Sequence, residues 1–361
     1  MIYLDNAATT KPIPAAIEAA KRAMETDWFN PSAIYSPAIE VKRQIEEVRN
    51  LIAKEINAEP EEIIFTSGAS ESNMMALKGN AALTTKIEHP SINNMVVHDR
   101  IRVDKKGKLI SESIKEDYWY AFASMFSIQH ANNEIGTIQD VESCIKEIKQ
   151  NCHDNILVHV DATQTFGVIP IDVKKMKIDM LSASAHKIGG IKGTGFLYAN
   201  ERAKNYINCA IHGEQENGIR GGTYNVSGIL AMGEAVKAIN YDKSEMIKLR
   251  DWFIVKLLTQ IEDTYLVGHP TDRLPNNINV CFRGVLADAL VAMLSEHEIY
   301  VSPGSACSAA DAKPSHVLKA IGLPTEDLKS CVRFSLGPDT TKEELEYVIE
   351  VIKNVIKILR G

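Results

Sequence analysis

Lys187 has the sequence surroundings that best suit covalent chemistry. It follows the short apolar run 180–181 and lies within residues 182–190, a stretch of small, hydroxylated and glycine residues. Such residues let a backbone approach a ligand closely, and a lysine amine can form a Schiff base with an aldehyde. The other reading of this stretch is a glycine-rich turn with an exposed lysine.

Asp161 occupies a second position suited to chemistry. The run 156–160 is apolar enough for a buried parallel strand, and Asp161 follows it directly. Open α/β sheets bind ligands at the carboxyl ends of their strands, and Lys187 comes after the next predicted strand, 178–181. A lysine and a carboxylate so placed suit pyridoxal phosphate, because the amine holds the aldehyde while the carboxylate keeps the pyridine nitrogen protonated.

The turn at residues 67–73 is a candidate site for the phosphate of that cofactor. It consists of small polar residues and joins the predicted strand 62–66 to a predicted helix start at 74–77. A helix amino terminus presents N–H groups that bind phosphate, and Gly68, Ala69 and Ser70 would supply them. An ordinary strand-to-helix loop would have the same residues, so the turn indicates a phosphate site only in combination with Asp161 and Lys187.

Motifs along nearly the whole chain resemble the pyridoxal-phosphate-dependent cysteine desulfurases of the nitrogen-fixation and iron–sulfur-assembly type, which are class V aminotransferase-like enzymes. The motifs are 3–10 (YLDNAATT), 65–68 (FTSG), 88–90 (EHP), 132–136 (NNEIG), 159–164 (HVDATQ), 184–187 (SAHK), 304–307 (GSAC), 314–318 (PSHVL) and 333–337 (RFSLG). The resemblance implies an α/β fold of the fold-type I transferases, with a mostly parallel seven-stranded sheet in a large domain and a smaller α+β domain. We place the large domain at 12–243 and the small domain at 1–11 and 244–361.

The resemblance also implies roles for single residues. Lys187 would hold the cofactor, Cys307 would be the nucleophile and a candidate transient iron–sulfur ligand, and His89 would stack on the ring and move protons. Arg333, with Asn133, would bind the substrate carboxylate. The implied cofactor-binding residues are Ala69, Ser70, His89, Asn133, Asp161, Gln164, Ser184, His186, Lys187 and, from the partner subunit of a homodimer, Thr223.

The implied activity converts L-cysteine to L-alanine and transfers the sulfur to Cys307 as a persulfide, for iron–sulfur cluster or thio-cofactor synthesis. A sulfur-acceptor or iron–sulfur scaffold protein is the expected partner. Two alternatives stay open: a selenocysteine lyase or other class V enzyme, and a weakly active subunit that carries sulfur. The second is motivated by Glu214 and Ile191, which depart from the family pattern, and by the short segment 79–88.

Composition and charge narrow the remaining classes. The 361 residues include 40 Lys and Arg against 47 Asp and Glu, a net charge of -7, and no basic cluster indicates a nucleic-acid partner. No apolar run reaches bilayer length, so we expect a cytoplasmic protein without a membrane segment. The six cysteines are scattered without the spacing of metal ligands, and we expect no resident metal.

Two helices that frame these motifs are predicted from local patterns. Ser36 and Pro37 begin a helix with an apolar face at positions 41, 45, 48, 52 and 56. Thr340 and Glu343 have the spacing of a capping box, which predicts the start of the last helix.

Overall fold

The computed structural model of the protein describes residues 1–96, 100–110, 112–113, 122–209, 211–303 and 314–361. Its strands are β1 (Ile2–Tyr3), β2 (Ile63–Thr66), β3 (Ala82–Thr84), β4 (Met125–Gln129), β5 (Leu157–Asp161), β6 (Met180–Ser184), β7 (Gly195–Ala199), β8 (Thr264–Val267), β9 (Asn277–Phe282), β10 (Ile299–Tyr300) and β11 (Cys331–Ser335). Its α-helices are α1 (Pro14–Glu25), α2 (Ser36–Ile56), α3 (Ala69–Leu77), α4 (Pro90–Asn93), α5 (Val141–Asn151), α6 (Val226–Lys237), α7 (Ser244–Gln260), α8 (Ala287–Glu296), α9 (His316–Ala320) and α10 (Lys342–Arg360).

The central sheet has the strand order β2-β7-β6-β5-β4-β3. Strands β3 to β6 are parallel, whereas β7 is antiparallel to both of its neighbours, β2 and β6. This mixed, mostly parallel sheet confirms the predicted α/β fold class.

The number of strands in this sheet differs from the seven expected, because six are found in the described residues. Beyond β3, Ile101 forms an isolated parallel bridge with Thr85. The next N–H, that of Arg102, donates to Ser113 Oγ at 3.1 Å and so turns away from the sheet. In the ranges that the structure describes, pairing at this edge of the sheet is therefore limited to the single bridge of Ile101.

Alternating side chains of the sheet enter two apolar layers. In β2, Ile63 and Phe65 join the core formed with α2 and α6, whereas Ile64 joins the core formed with α3. The five residues of β5 are all buried, as expected for a parallel strand covered by helices on both faces. The sheet is thus held rigidly between two layers, which fixes the positions of the strand ends.

A third apolar core lies in the carboxy-terminal part of the chain. The antiparallel sheet β11-β9-β8 packs there with α7, α8 and α10. β1 pairs in parallel with β10, and Leu4 joins the same core. The division into domains at residues 11/12 and 243/244 stays a prediction.

The two helix starts predicted from local sequence patterns can be compared with the structure. α2 begins at Ser36 as predicted and buries the expected apolar face. The capping box of α10 is formed by Thr341 and Glu344, not by Thr340 and Glu343, because Thr340 Oγ1 instead accepts the N–H of Gly337 at 2.8 Å. Among the helices of the described ranges, none combines the length and the apolar composition needed to cross a membrane.

Candidate active site

The carboxyl ends of the parallel strands form one wall of a cavity of about 770 Å³. β4, β5 and β6 end at Gln129, Asp161 and Ser184, and all three residues line this cavity. Ligands of open α/β sheets bind at this edge. The volume lies within the range of about 300 to 1,000 Å³ that is typical of small-molecule sites.

The structure brings most of the predicted site residues together in this cavity. Those that line it are Ala69, Ser70, His89, Asn133, Asp161, Gln164, Ser184, His186, Lys187 and Arg333. Thr223 is exposed and lines a neighbouring pocket of about 150 Å³, which shares Ser67 and Gly193 with the cavity. Within one subunit, Thr223 therefore belongs to a different pocket from the other predicted residues.

Cys307 lies outside the described residues, in the gap 304–313. The residues before and after this gap are tied to the cavity. Ser302 and Arg333 exchange backbone hydrogen bonds of 3.1 and 2.7 Å, and Ser315, which lines the cavity, donates its hydroxyl to Glu134 at 2.5 Å. The described chain therefore stops and resumes beside the cavity.

Lys187 ends a short 3-10 turn directly after β6. Its Nζ donates to the carbonyl oxygens of Ala7 at 2.5 Å and Ala8 at 2.8 Å, in the loop that follows β1. A Cβ on Gly190 would lie 2.9 Å from the Cβ of Ala185, so the small residues around the lysine are needed for close packing. The glycine-rich stretch is thus part of the cavity wall rather than an exposed turn.

The Asp161 carboxylate is held by two neighbours at the end of β5. Oδ1 accepts the N–H of Thr163 at 2.9 Å and also its hydroxyl. Oδ2 accepts from Nδ2 of Asn73 at 2.9 Å. Both oxygens are thereby engaged, and the carboxylate is fixed in one orientation at the cavity.

Arg333 is a buried arginine whose guanidinium is oriented by two partners. Nη2 donates to Asp5 Oδ1 at 2.7 Å, and Nη1 donates to the carbonyl oxygen of Asn133 at 2.9 Å. Asp5 lies just after β1, so the first residues of the chain position this arginine. A planar guanidinium in a fixed orientation suits two-pronged binding of a carboxylate.

The turn between β2 and α3 has the geometry expected of an anion site. Gly68 has φ 152°, a backbone conformation that favours glycine. A Cβ on Gly195 would lie 2.7 Å from the Cα of Gly68, so these glycines let the turn pack directly on β7. The N–H groups of the first turn of a helix have no partner inside it, and Ala69 and Ser70 of α3 line the cavity.

Two of the three histidines that line the cavity, His89 and His186, have a lowered pKa. Burial, together with the charges of Lys187 and Lys192, lowers the pKa of His186 to about 4. Burial also lowers the pKa of His89, against the opposing effect of the Asp161 charge. A neutral imidazole has one N–H donor and one acceptor nitrogen, so each ring can donate one hydrogen bond in the site.

Two buried carboxyl groups beside the cavity were not among the predicted site residues. Glu88 accepts from Thr85 Oγ1 at 2.5 Å and from the N–H of Gln129 at 2.8 Å, and burial raises its pKa to about 8. Burial also raises the pKa of Glu134, the acceptor of Ser315. Both glutamates lie in motifs 88–90 and 132–136, and this membership is the signal through which the sequence could have indicated them.

The two residues that depart from the family pattern, Ile191 and Glu214, are not among the residues that line the cavity. Ile191 packs against the small apolar cluster of Ala16, Ala20 and Ala231. The carbonyl oxygen of Glu214 accepts the N–H of Gly218 at 3.3 Å. Their effect on activity stays a prediction.

The side chains around the cavity fit pyridoxal 5′-phosphate. The cofactor needs an amine for its aldehyde, a carboxylate for its ring nitrogen and donors for its phosphate. Lys187, Asp161 and the first turn of α3 with Ser184 provide these three groups in one cavity. The fixed carboxylate suits the ring nitrogen of the cofactor, and the close-packed glycine turn suits its phosphate.

Known proteins resemble this chain over nearly its whole length. A family model described as Aminotransferase class-V matches residues 2–348. The protein named Cysteine desulfurase IscS from Dictyoglomus turgidum is 41% identical over 382 residues, covering 99% of this chain and 95% of its own length.

Solved structures agree with these sequence matches. A structure described as a NifS-like protein has a TM-score of 0.87 and 31% identity, and 99% of each chain is covered. A second, described as SspA in complex with cysteine, has a TM-score of 0.81 and 32% identity, covering 94% of this chain and 100% of its own. The similarity therefore extends over the central sheet and the carboxy-terminal part of the chain, both of which contribute residues to the cavity.

Proposed function

This chain belongs to the class-V aminotransferase family, and we infer that it is a pyridoxal-phosphate-dependent cysteine desulfurase, which converts L-cysteine to L-alanine. The observation that carries this inference is that Lys187, Asp161 and Arg333 line one cavity in a chain that matches a cysteine desulfurase from end to end. When bound, the cofactor supplies an electron sink for the substrate's α-carbon. The chain's own residues bind and orient the substrate and move its protons.

We propose that Lys187 attaches the cofactor through Nζ and later moves the α-proton of the substrate. Asp161 would contact the ring nitrogen, and Gln164 and Asn133 the ring's phenolic oxygen. The first turn of α3 with Ser184 and His186 would hold the phosphate. Support comes from the common cavity and from the fixed orientation of the Asp161 carboxylate.

Arg333 would bind the carboxylate of L-cysteine. Its guanidinium faces Asp5 and Asn133 within the cavity region, and two parallel N–H donors match the two oxygens of an α-carboxylate. This contact would fix the substrate's α-carbon relative to Lys187 and leave its thiol directed at a nucleophile. His89 would move the thiol proton.

We propose that Cys307 is that nucleophile. Its thiolate would attack the substrate sulfur, so an S–S bond forms while the Cβ–S bond breaks. The electron pair of the broken bond stays with the carbon skeleton, which takes up a proton at Cβ and leaves as alanine. The sulfur pair is oxidised by two electrons and Cβ is reduced by two, so no outside oxidant is needed.

Chain length is compatible with this role for Cys307. The residue lies five positions after Ser302, and five residues span at most about 18 Å. Ser302 is bonded through its backbone to Arg333, the proposed substrate-binding residue. A chain of this length allows the Cys307 thiol to reach the substrate's binding group.

We also propose that the enzyme is a homodimer in which Thr223 completes the partner's phosphate site. Support comes from an exposed apolar patch that we define as Trp28, Ile34, Tyr35 and Ile39, which are 66%, 93%, 50% and 56% exposed. Gly233 packs on Val48 and Tyr241 bonds to Glu55, so α6 runs parallel to α2. Thr223, just before α6, therefore lies at the same end as the patch.

The persulfide on Cys307 would pass its sulfur to an acceptor protein in the cytoplasm, with an iron–sulfur scaffold as the proposed class. Support comes from the relatives named IscS and from the chemistry of a persulfide, whose outer sulfur a second thiolate can take. Loading the enzyme with 35S-cysteine and adding a candidate scaffold tests the transfer. Radioactivity that stays on the desulfurase with every thiol-bearing scaffold would contradict it.

The Cys307→Ser variant tests the desulfurase mechanism. We expect unchanged cofactor binding and a spectral response to L-cysteine, because Lys187, Asp161 and Arg333 remain, but a loss of more than about 100-fold in alanine and sulfide formation, equal to about 2.7 kcal/mol. Cys144→Ser, at a buried cysteine outside the cavity, is the matched control. Alanine formation at the parental rate by the Cys307 variant would exclude Cys307 as the sulfur acceptor.

Covalent trapping tests the role of Lys187. Borohydride reduction followed by peptide mapping should place the cofactor on Lys187, and Lys187→Ala should retain cofactor only noncovalently, because the Lys187 amine is the one proposed to bind the cofactor's aldehyde. Lys192→Ala is the control, since Lys192 also lines the cavity but should leave trapping intact. A label on Lys192 in the parent protein would overturn the assignment.

A further inference from the structure

Four side chains link the proposed ring-binding carboxylate to the proposed proton-moving histidine. Nδ2 of Asn73 donates to Asp161 Oδ2 and to Ser91 Oγ, each at 2.9 Å. Ser91 Oγ lies 2.8 Å from His89 Nδ1, and the N–H of Ser91 donates to the same nitrogen at 3.1 Å. All four residues line the cavity, and neither Asn73 nor Ser91 is among the cofactor-binding and catalytic residues that the family resemblance implies.

The donors of these hydrogen bonds can be assigned from the carboxylate: Asn73 donates to both Asp161 and Ser91, and Ser91 donates to His89. The Asp161 carboxylate can only accept, so the amide nitrogen of Asn73, not its oxygen, must face it. The second hydrogen of that nitrogen points to Ser91 Oγ, which leaves the hydroxyl hydrogen of Ser91 for His89 Nδ1. Since the backbone N–H of Ser91 points there too, Nδ1 accepts twice and cannot carry the ring hydrogen of a neutral imidazole.

Local sequence explains why these residues meet. Asn73 lies one helical turn after Ala69 and Ser70 in α3, so it shares their cavity-facing side. His89 is the N-cap of α4, and Ser91 lies in the first turn, where a side-chain acceptor normally binds a backbone N–H. One face of α3 and one helix start thereby join Asp161 to His89.

We propose that Asn73 and Ser91 are positioning residues that hold the Asp161 carboxylate at the cavity and fix His89 as the tautomer with its hydrogen on Nε2. This deepens the proposed function and, for its consequence, rests on it: His89 enters the reaction with its hydrogen on Nε2, because Nδ1 is engaged by Ser91.

Nitrogen NMR of the cofactor-free protein tests the tautomer without any turnover. With 15N-labelled histidine rings, and the His89 signal identified by its loss in His89→Gln, we expect a neutral ring protonated on Nε2 at about pH 7.5. Ser91→Ala should shift Nδ1 toward the value of a nitrogen with a weaker donor, and Ser91→Thr, which keeps the hydroxyl, should restore the parental signal. A ring protonated on Nδ1, or a Ser91→Ala signal identical to the parental one, would overturn the proposal.

Cofactor affinity tests the contact with Asp161. In Asn73→Ala the dissociation constant of pyridoxal phosphate should rise about tenfold, because a buried carboxylate loses one of its donors. Asn80→Ala is the matched control: Asn80 follows the same helix, and its amide donates to backbone carbonyls of Ala76 and Tyr206. Parental affinity in Asn73→Ala would refute the Asp161 part of the proposal.

The two proposals fail separately. Should Asn73→Ala not fold, the parental tautomer and the Ser91 pair still decide the question at His89. A parent protein that bound cofactor but released no alanine from L-cysteine would overturn the proposed function and leave the tautomer result standing.

Discussion

Glu88 is a carboxyl group with no exposure to solvent and no cationic side chain among its hydrogen-bond partners. Burial raises its pKa from 4.5 to about 8, so the folded protein keeps its proton at neutral pH while the unfolded chain releases it. The stabilising contribution of this proton is therefore complete below about pH 4.5 and is lost as the pH rises through about 8.

The variant Glu88→Gln should remove this pH dependence. Glutamine resembles the protonated acid, since its oxygen can accept from Gln129 and its amide can donate to Thr85. We expect the melting temperature of the cofactor-free variant to fall less than that of the parent between about pH 5 and pH 9, by roughly 2 °C or more. Thermal denaturation followed by circular dichroism measures this.

Glu61→Gln, at an exposed glutamate, is the control for the loss of one carboxyl group. It should leave the pH dependence of the melting temperature as it is in the parent. If Glu88→Gln behaves like this control, Glu88 is ionised in the folded protein.

At the scale of single residues, sequence motifs identify groups that react but not the groups that hold them. Lys187, Asp161 and Arg333 stand in motifs that resemble a known family, and the structure places them in one cavity. Asn73 and Asp161 are separated by 88 positions, and no local pattern says which distant polar side chains will meet. Such contacts depend on strand order and therefore appear only in the folded chain.

At the scale of elements, the glycine-rich loop, residues 211–223, is held by two ion pairs. Glu216 accepts from Arg49 of α2 through two bonds of 2.8 and 3.0 Å, and both side chains are less than 10% exposed. Arg220 donates to Glu71 of α3 at 2.8 Å. The loop that carries Thr223 is thus bonded to α2 and α3, two helices that pack on the central sheet.

The variant Glu216→Gln should loosen this loop and destabilise the protein. Removing one partner of a buried pair costs about 3 kcal/mol, and Arg49 would then keep the partly exposed Glu46 as its acidic partner. We expect the melting temperature to fall by roughly 5 °C or more and cofactor affinity to fall with it, since Thr223 would lose its fixed position.

Glu40→Gln provides the comparison within α2. Glu40 pairs with Arg43, and both side chains are more than half exposed, so the change in melting temperature should be much smaller. Equal decreases in melting temperature in the two variants would mean that the buried Arg49–Glu216 pair stabilises the protein no more than an exposed pair does.

Element starts and ends were predicted to within a few residues where one local pattern dominates. The apolar spacing of α2 leaves one choice of face, and the helix begins at Ser36 as expected. Thr340/Glu343 and Thr341/Glu344 have the same spacing, however, and the sequence cannot rank them. The hydrogen bond from the N–H of Gly337 to Thr340 Oγ1 decides in favour of the second pair.

At the scale of the whole molecule, the exposed apolar patch leads to a prediction about assembly. Ile34→Glu places a charge on its most exposed member, and desolvating that charge in a dimer interface is costly. We expect sedimentation velocity to show a monomer, with weaker cofactor binding because Thr223 would no longer reach the partner. Ile358→Glu, at another exposed isoleucine, on α10, should stay dimeric.

An Ile34→Glu protein that remains dimeric and binds cofactor normally would move the interface elsewhere. A parent protein that is monomeric yet active would mean that Thr223 acts in its own subunit or not at all. The two results are read from the same sedimentation and titration experiments.

The fold class could be predicted from the sequence because buried strands, turn residues and helix starts recur in the order of an α/β chain. The number of strands could not be predicted, because in the described part of the chain Ile101 pairs with Thr85 at a single position, and a run of apolar residues does not reveal where pairing stops. The neighbouring pocket of Thr223 was likewise outside the reach of local patterns.

The pairing of β1 with β10, and of Asp5 with Arg333, joins residues that are synthesised at very different times. At about 5 to 20 residues per second, residues 2–5 leave the ribosome roughly 15 to 60 s before their partners are made. During that interval the large sheet can form while the first strand waits without its neighbours. The arginine proposed to bind substrate is therefore assembled last, and a nascent chain that stops before β11 would hold a cofactor site but no site for the substrate's carboxylate.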